Sequence, residues 1–373
     1  DLVTAPEIIF FWVARMIVAG YEYRGEMPFK NVYFTGIVRD KQRRKMSKSL
    51  GNSPDPIELM KKYGADGVRS GMLFSAPAGN DLLFDEKLCE QGRNFSNKLW
   101  NAFRLIQTLE VSDKGKDQSL AVSWINSRYN EVLNEVDDHF SKYRISDALL
   151  SLYSFIWDDF CSWYLEIIKD SSISEYTYKD TIAILEKILK TLHPFMPFIT
   201  EELWNQIDRK RGYIMVSEYP TPEKFDTELN EDFKKVFEMV TGLRKLKSDN
   251  KVKQIEVVKV IVNKKSGFDF NSYKELIQKL SKTKDLEIVK DIPSDYPTIV
   301  SGKDTLSLAI EKSEGSKEDT LKQIEYLEGF LKSVDKKLSN KSFVDNAPES
   351  VVNVEKKKRD DAFIKLENLK KSI

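Results

Sequence analysis

The distribution of apolar residues changes along the chain, and its first part alternates between helix and strand signals. An apolar run over residues 8–18 follows Pro6 and precedes Gly20, which predicts a buried helix that begins near the proline and ends at the glycine. Residues 31–38 predict a short buried strand. This alternation predicts part of an α/β sheet domain over residues 1–84.

A second helix of this part and the segment after it have clearer boundaries. Asp55 and Pro56 are residue types that begin a helix, and Gly64 is a residue type that ends one. Beyond them, strand signals give way to apolar side chains at intervals built from three and four residues, beginning with Leu88, Phe95, Leu99, Phe103 and Ile106. We expect an all-α bundle over residues 85–222, with the polar residues 107–119 as the link between its first two helices.

The remainder of the chain predicts two further parts. A helix over residues 233–246 and an alternating strand over residues 256–262 predict a small α+β module at residues 223–312. Residues 313–373 then contain two helical runs whose seam positions lie three and four residues apart, as in a coiled coil: Ile324, Leu327, Leu331, Val334 and Leu338, then Val352, Glu355, Arg359, Ala362, Leu366, Leu369 and Ile373. Because Pro348 separates the runs, we expect an antiparallel coiled-coil hairpin. The charged positions of the second seam favour a hairpin within one chain, and hence a monomer.

Charge and cysteine content exclude several classes of protein. The 59 basic residues balance 59 acidic ones, so the chain is not a polycation, and any RNA contact must come from local basic runs. Cys89 and Cys161 form neither a disulfide framework nor a zinc-ligand cluster, which fits a reducing cytoplasm and predicts no metal site. The longest apolar run contains Arg15 and is too short to cross a bilayer, so no membrane segment is expected.

Residues 45–49, Lys-Met-Ser-Lys-Ser, carry the clearest chemistry in the sequence. The two lysines bracket hydroxyl donors in a glycine-containing turn, so a moving loop can bring both ammonium groups to a triphosphate. Negative charge grows there when a carboxylate attacks the α-phosphate, and cations that arrive by loop closure lower that barrier. A solvated surface turn rich in lysine and serine is the alternative interpretation.

This pentapeptide resembles the KMSKS loop of class I aminoacyl-tRNA synthetases. Residues 8–16 and 28–36 ahead of it, and residues 63–66 after it, are similar to segments of the valine-type members, and the likeness continues over most of the chain. The C-terminal hairpin favours the valine type over the isoleucine type, whose members often end in zinc modules. Isoleucine-type and leucine-type enzymes stay alternatives, as does a noncatalytic RNA-binding or scaffold protein with a synthetase-like bundle.

The resemblance implies a multidomain chain: the C-terminal remnant of a Rossmann-type catalytic domain, an anticodon-binding bundle, the α+β module and a tRNA-binding arm. It implies that the whole protein activates valine with ATP and Mg²⁺ and transfers it to tRNA(Val). Neither His139, expected to be exposed, nor His193, expected in the core or as a cap, has the His-x-Gly-His form of the family's other ATP-site half. Because the chain also begins at Asp1 and lacks an editing insert, we expect a fragment that is inactive alone.

The same resemblance assigns roles to residues near the loop. Lys45 and Lys48 are the predicted catalytic residues, and the predicted ATP-binding set is Glu7, Lys45, Met46, Ser47, Lys48 and Ser49. Glu7 stands where the family commonly has an aspartate, so it either keeps that contact or caps the following helix. Trp12 is predicted at the amino-acid pocket, with a packed core position as the alternative.

Two sets of residues are predicted to bind tRNA. Arg93, Asn97 and Lys98, at the start of the bundle, are candidates for contact with unstacked anticodon bases, although a solvated ridge would have the same spacing. The basic run of the arm is expected to contact phosphates, which positions a tRNA without reading its sequence. Its members are Lys356, Lys357, Lys358 and Arg359.

Overall fold

The chain forms two compact units, Asp1–Thr227 and Glu228–Ile373, in which helices predominate. The structure is a computed structural model that describes residues 1–47, 49–75, 81–169, 172–253, 258–310, 314–340 and 349–370. None of the helices in these ranges combines the length and apolarity that a bilayer crossing requires.

Short parallel strands and helices make up the first part of unit 1. The elements are β1 (Leu2–Thr4), α1 (Ala14–Arg24), β2 (Val32–Phe34), β3 (Val38–Arg39), α2 (Pro56–Tyr63), α3 (Ala65–Phe74) and β4 (Leu82–Leu83). β1 pairs with β2, and β3 pairs with β4, both in parallel. The single strand expected over residues 31–38 is therefore two strands, which belong to separate two-stranded sheets.

The predicted boundaries of α2 are confirmed. Asp55 caps the helix by accepting a hydrogen bond from the backbone N–H of Ile57 at 2.7 Å, and Pro56 occupies the first turn, where its missing N–H costs nothing. Gly64 ends the helix with a φ of 77°, a conformation that glycine adopts without strain. A second helix, α3, starts immediately after this break.

The first helix is longer and more exposed than the sequence predicts. A 3-10 turn (Pro6–Ile8) and a π-helical turn (Ile9–Val13) lead into α1, which continues through Gly20 and ends at Gly25 in a left-handed conformation. Gly20 permits a close approach instead, because a Cβ there would lie 2.8 Å from Pro28 Cδ. Val13 alone is buried in these turns and α1, so the prediction of a buried helix is wrong.

An apolar core holds the rest of unit 1 together, and the predicted helical bundle is confirmed. Its elements are α4 (Glu86–Gln107), α5 (Ser119–Ser141), α6 (Ile145–Ser154), a π-helical segment (Phe155–Tyr164), α7 (Leu165–Ile168), α8 (Glu175–Leu192) and α9 (Pro197–Ile207). The largest fully buried side chains include Phe95, Tyr129, Phe155, Phe160 and Phe195. Aromatic rings stack through this core, with the centres of Phe160 and Tyr164 5.7 Å apart.

The polar link after α4 contains a strand that the sequence did not predict. β5 (Val111–Lys116) lies against Ile173, whose N–H bonds the carbonyl oxygen of Glu110 at 2.9 Å. A Cβ on Gly115 would lie 2.0 Å from the carbonyl oxygen of Ile173, so only glycine fits there. The residue that pairs with this strand lies about sixty positions away, so the local pattern of apolar residues does not predict the strand.

Unit 2 contains a four-stranded sheet with helices beside it. The elements are α10 (Thr227–Asp249), β6 (Val258–Asn263), α11 (Phe270–Ser281), β7 (Thr283–Val289), β8 (Thr298–Ser301), β9 (Asp304–Leu308), α12 (Glu314–Leu338) and α13 (Glu349–Lys370). The strand order is β7-β6-β9-β8, in which only the β6–β7 pair is parallel. The helix predicted over residues 233–246 lies within α10; the strand predicted over residues 256–262 begins at Val258, and residues 254–257 lie outside the described ranges.

The last two helices run antiparallel. Lys370 pairs with Glu328 at 2.6 Å near one end, and Lys337 pairs with Glu355 at 3.7 Å near the other. The seam residues Leu331, Val334, Val352, Ala362 and Leu366 are buried. Residues 341–348, with Pro348, and the last seam position Ile373 lie outside the described ranges, as does the side chain of Leu369. Coiled-coil packing between the helices stays a prediction.

Candidate functional site

The residues after β3 form a tight turn around one buried carboxylate. Oδ1 of Asp40 accepts hydrogen bonds from the backbone N–H groups of Gln42 at 3.0 Å and Arg44 at 2.9 Å. Oδ2 accepts from Arg44 Nε at 2.8 Å and from the Asn52 side chain at 3.0 Å. The hydrogen bond from Asn52 is the main cause that lowers the pKa of Asp40 to about 2. The bonds from Arg44 lower it further. The carboxylate is therefore ionised at neutral pH.

Asn52 joins this turn to the backbone of residues 45–47. Besides donating to Asp40, its Nδ2 donates to the carbonyl oxygen of Lys45 at 3.3 Å, and its Oδ1 accepts from the N–H of Ser47 at 2.9 Å. Between these two contacts, the N–H of Met46 donates to the carbonyl oxygen of Val38 in β3 at 3.4 Å. One amide side chain thus holds the backbone on both sides of Met46.

Lys45 pairs with Glu7, a residue 38 positions earlier in the chain. Lys45 Nζ lies 3.0 Å from each carboxylate oxygen of Glu7, which belongs to the 3-10 turn before α1. The two side chains are 57% and 49% exposed. An ion pair this exposed contributes about 0 to 1 kcal/mol, so the ammonium group can exchange its partner at little cost. The structure brings together two members of the predicted ATP-binding set.

The other members of that set surround this backbone. Ser47 Oγ lies 3.1 Å from Ser49 Oγ and accepts a hydrogen bond from the N–H of Leu50 at 3.2 Å, while Met46 is half-buried. Lys48 lies outside the described residues. An open groove of about 420 Å³ beside the turn is lined by Asp40, Arg44, Met46, Gly51, Asn52 and Phe84, among others. Within the described ranges, no three His, Cys, Asp or Glu side chains are arranged to hold a metal ion.

Trp12 lies on the exposed π-helical turn before α1. Its side chain is 57% exposed, and its neighbours Phe10 and Phe11 are 87% and 63% exposed. A packed core position for Trp12 is therefore wrong in this chain. Its assignment to an amino-acid pocket stays a prediction.

The three anticodon candidates on α4 have different surroundings. The Arg93 guanidinium lies 5.6 Å from the centre of the Tyr63 ring, and its buried Nε has no hydrogen-bond partner among the described residues. Lys98 Nζ lies 5.1 Å from the centre of the Trp157 ring, and Asn97 is exposed. Arg93 thus packs partly against α2, whereas Asn97 faces solvent.

The basic run of the arm lies on α13. Lys356 and Lys357 are exposed. Lys358 Nζ lies 2.9 Å from Glu355, and Arg359 lies 2.8 Å from its neighbour Asp360. The run therefore presents exposed positive charges. Two of its members, Lys358 and Arg359, also pair with acidic neighbours on α13.

A polar link between α3 and the bundle was not predicted. Asp66 is buried, and its carboxylate accepts hydrogen bonds from the N–H groups of Phe198 at 3.3 Å and Ile199 at 2.6 Å, in the first turn of α9. Arg69 Nε donates to the carbonyl oxygen of Phe195 at 3.2 Å. Burial raises the pKa of Asp66 above its usual range, against the opposite effect of the backbone donors. Only the folded chain brings these groups together.

The two histidines have different surroundings. His193 Nδ1 lies 2.7 Å from Thr200 Oγ1, and burial lowers the pKa of His193, which fits the predicted core or capping role. His139 is half-buried, and its Nδ1 is buried without a partner in the described part of the chain. The expectation of an exposed His139 is therefore wrong. His139 lies in the last turn of α5, and the N–H of Arg144, just beyond the helix, donates to the carbonyl oxygen of His139 at 2.8 Å.

Three family models match successive parts of the chain. Residues 2–85 match tRNA synthetases class I (I, L, M and V), and residues 123–262 match the anticodon-binding domain of tRNA ligase. Residues 316–373 match the valyl tRNA synthetase tRNA binding arm. Each of these successive parts of the chain thus resembles a part of a tRNA synthetase, and the first resembles the class I enzymes.

Within that class, the chain matches the C-terminal portion of valine-tRNA ligases along its whole length. It is 50% identical over 386 residues to the valine-tRNA ligase of Christiangramia forsetii and 48% identical over 384 residues to that of Phocaeicola vulgatus. Each match covers 100% of this chain but only 44% of the relative, so the chain spans less than half the length of these proteins. A solved ternary complex of Agrobacterium radiobacter K84 LeuRS with tRNA and LeuAMS matches 69% of this chain and 30% of that chain, at 17% identity and a TM-score of 0.47.

Proposed function

We propose that the chain is the part of a valine-tRNA ligase that carries the KMSKS loop and the tRNA-binding domains. The whole protein would activate valine with ATP, which enters with Mg²⁺, and transfer the valine to tRNA(Val). The whole-length likeness to valine-tRNA ligases supports this specificity. The proposed domains are a catalytic remnant at 1–84, the anticodon-binding bundle at 85–222, the α+β module at 223–312 and a coiled-coil arm at 313–373.

The observation that carries the catalytic part of the proposal is the position of Lys45. Its backbone is held by Asn52, while among the described residues its ammonium group pairs with the exposed Glu7 carboxylate. A triphosphate carries more negative charge than one carboxylate and can take the ammonium group from Glu7. The cation then stabilises the charge that builds on the α-phosphate and the departing pyrophosphate. Lys48 is the proposed second cation.

The rest of the predicted set keeps its assignments within this proposal. Met46, Ser47 and Ser49 would lie beside the phosphates, with the serine hydroxyl groups as donors, and Trp12 would border the amino-acid pocket. On the bundle, Arg93, Asn97 and Lys98 are proposed near the anticodon, and the basic run of α13 near tRNA phosphates. We expect the protein to act as a monomer in the cytoplasm, where tRNA is charged.

The catalytic proposal is tested with Lys45→Ala in the full-length ligase that contains this chain. Losing one cation that acts on the developing charge should lower kcat for valine-dependent ATP-pyrophosphate exchange by about 10²- to 10³-fold, with tRNA affinity unchanged. Lys41→Ala is the matched control, since Lys41 lies in the same turn but pairs with Asp85 at 3.5 Å. Unchanged exchange would remove Lys45 from catalysis, and faster exchange with isoleucine or leucine would reassign the substrate.

The arm is tested by reversing two exposed charges, Lys356→Glu with Lys357→Glu. Because phosphate contacts release counterions, tRNA binding should weaken at every salt concentration, and the slope of log affinity against log salt should fall by roughly 1 for each lost contact. Lys234→Glu on α10 is the control outside the basic run. Unchanged affinity would reject the arm contact, and a changed anticodon preference would mean that the arm reads sequence.

A further inference from the structure

We propose that Asp40 and Asn52 are positioning residues for the loop, which fix its backbone so that the Lys45 side chain can change partners without the loop unfolding. This inference rests on the proposed function, because it assigns these residues a part in the same ATP site. Neither residue was predicted as functional from the sequence. Their role follows from contacts that only the folded chain reveals.

Asp40 is the fixed end of this arrangement. It follows β3, which is paired in parallel with β4, and Asp81 reinforces that sheet by accepting hydrogen bonds from the Arg39 side chain and, at 3.1 Å, from the N–H of Ile37. The carboxylate of Asp40 is buried and receives donors on both oxygens. A buried anion satisfied on both oxygens has one preferred orientation, so it offers Asn52 a fixed acceptor.

Asn52 links Asp40 to the loop, and this link uses both the donor and the acceptor of its side-chain amide. Its Nδ2 donates to Asp40 and to the carbonyl oxygen of Lys45, and its Oδ1 accepts from the N–H of Ser47. Aspartate lacks the donor and alanine lacks both groups. The amide of Asn52, which in turn is fixed by Asp40, therefore holds the backbone on both sides of Met46, whose own N–H bonds Val38 in β3.

The consequence is that backbone and side chain are held separately. Glu7 contacts the ammonium end of Lys45, whereas Asn52 contacts its backbone. When phosphates replace Glu7, the hydrogen bonds from Asn52 can stay in place, so the backbone from Lys45 to Ser47 does not have to be ordered again. Preorganisation of this kind lowers the cost of reaching the transition state, so its loss should reduce kcat more than it reduces folding stability.

The first experiment measures hydrogen exchange by mass spectrometry on the 373-residue chain. Asn52→Ala should speed amide exchange in peptides that contain Met46 and Ser47 by about tenfold or more, with peptides of the bundle unchanged. Gln42→Ala is the matched control, because Gln42 lies in the same turn and bonds Asp40 through its backbone N–H. Unchanged exchange at Met46 and Ser47 in Asn52→Ala would overturn the positioning role.

A conservative variant separates positioning from mere filling of space. Asn52→Asp keeps the size and the acceptor for Ser47 but places a second carboxylate against Asp40, so one proton must be shared before their contact can form again. After correction for intrinsic exchange rates, its loop should exchange fast at neutral pH and more slowly as the pH falls. A loop that exchanges as slowly as wild type at neutral pH would overturn the requirement for a donor at residue 52.

The second experiment measures valine-dependent ATP-pyrophosphate exchange by the full-length ligase. Asn52→Ala should lower kcat by about tenfold and leave the KM for valine unchanged, whereas general damage to the fold would alter both. If Lys45→Ala impairs exchange but Asn52→Ala leaves kcat intact despite a loosened loop, the positioning role is wrong. If Lys45→Ala itself has no effect, the proposed function fails, while the hydrogen-exchange result still decides whether the two residues fix the backbone.

Discussion

The loop after β3 and the helical bundle are stabilised by different kinds of contact. Around the loop, Asp40, Asn52 and Glu7 hold the chain through hydrogen bonds and an ion pair, and the Lys45–Glu7 pair is exposed. In the bundle, side chains such as Phe95 and Phe160 are fully buried in apolar surroundings. A hydrogen bond near water is replaced at a net cost of about 0.5 to 1.5 kcal/mol, whereas removing a buried aromatic ring costs about 3 to 5 kcal/mol. Contacts of the first kind suit a segment that must change partners, and contacts of the second kind suit one that must stay fixed.

Phe160→Ala should produce the largest effect and so mark the rigid side of this comparison. Phe160 is fully buried and stacks on Tyr164, so the substitution leaves a cavity and should lower the free energy of unfolding of unit 1 by about 3 to 5 kcal/mol. Urea denaturation of the chain measures this. Phe198→Ala, at a side chain that is 63% exposed, is the control and should change stability by less than about 0.5 kcal/mol. Equal effects at the two positions would refute the contrast.

Asp66→Ala should have an intermediate effect, because it leaves two N–H groups of α9 without their acceptor. The expected loss of unfolding free energy is about 1 to 3 kcal/mol. Burial raises the folded-state pKa of Asp66, so folding favours its protonated form. This contribution to stability is fully present below the unfolded pKa and is lost as pH rises through the raised value. The stability gap between wild type and Asp66→Ala should therefore narrow as pH rises from below the ordinary aspartate pKa of 3.8. A gap that widens over that range would contradict this account.

Glu7→Gln should have the smallest effect and tests how easily the loop region exchanges partners. An exposed ion pair is worth about 0 to 1 kcal/mol, so unfolding should be nearly unchanged. In the full-length ligase, Lys45 would no longer be held by a carboxylate, and the KM for ATP should fall by up to about fivefold. Glu22→Gln, at an exposed residue of α1, is the control. A rise in the KM for ATP would instead mean that Glu7 itself contacts the nucleotide.

Local signals in the sequence were enough to predict elements whose cause is local. The boundaries of α2 follow from Asp55, Pro56 and Gly64, and each acts within one helical turn. The lysine-serine loop was recognised because its residues are consecutive, and its likeness to a known loop added Glu7. Asp40 and Asn52 were missed as a pair because a carboxylate and an amide 12 residues apart have no pattern of their own until a turn brings them together.

The wrong predictions involve contacts between distant parts of the chain. A glycine inside a helix costs only about 1 kcal/mol relative to alanine, so Gly20 need not end one, and its contact with Pro28 gives it another use. β5 exists because Ile173 returns beside Gly115, which no window of neighbouring residues contains. The apolar pattern before α1 correctly predicted a helix but not its exposure, because burial depends on what lies against a helix rather than on the helix itself.

The π-helical segment Phe155–Tyr164 sets a constraint on how the length of this chain can vary. Each residue turns the chain by about 100° in an α-helix and by somewhat less in the wider π form, so deleting one residue there, with the helix type kept, would rotate every following side chain by roughly that angle. Ile167 and Ile168, now buried, would turn away from the core together. A substitution in this stretch alters one side chain, whereas a single insertion or deletion would change the identity of the buried face. Variation in length among related chains should therefore fall in the loops between helices rather than within this segment.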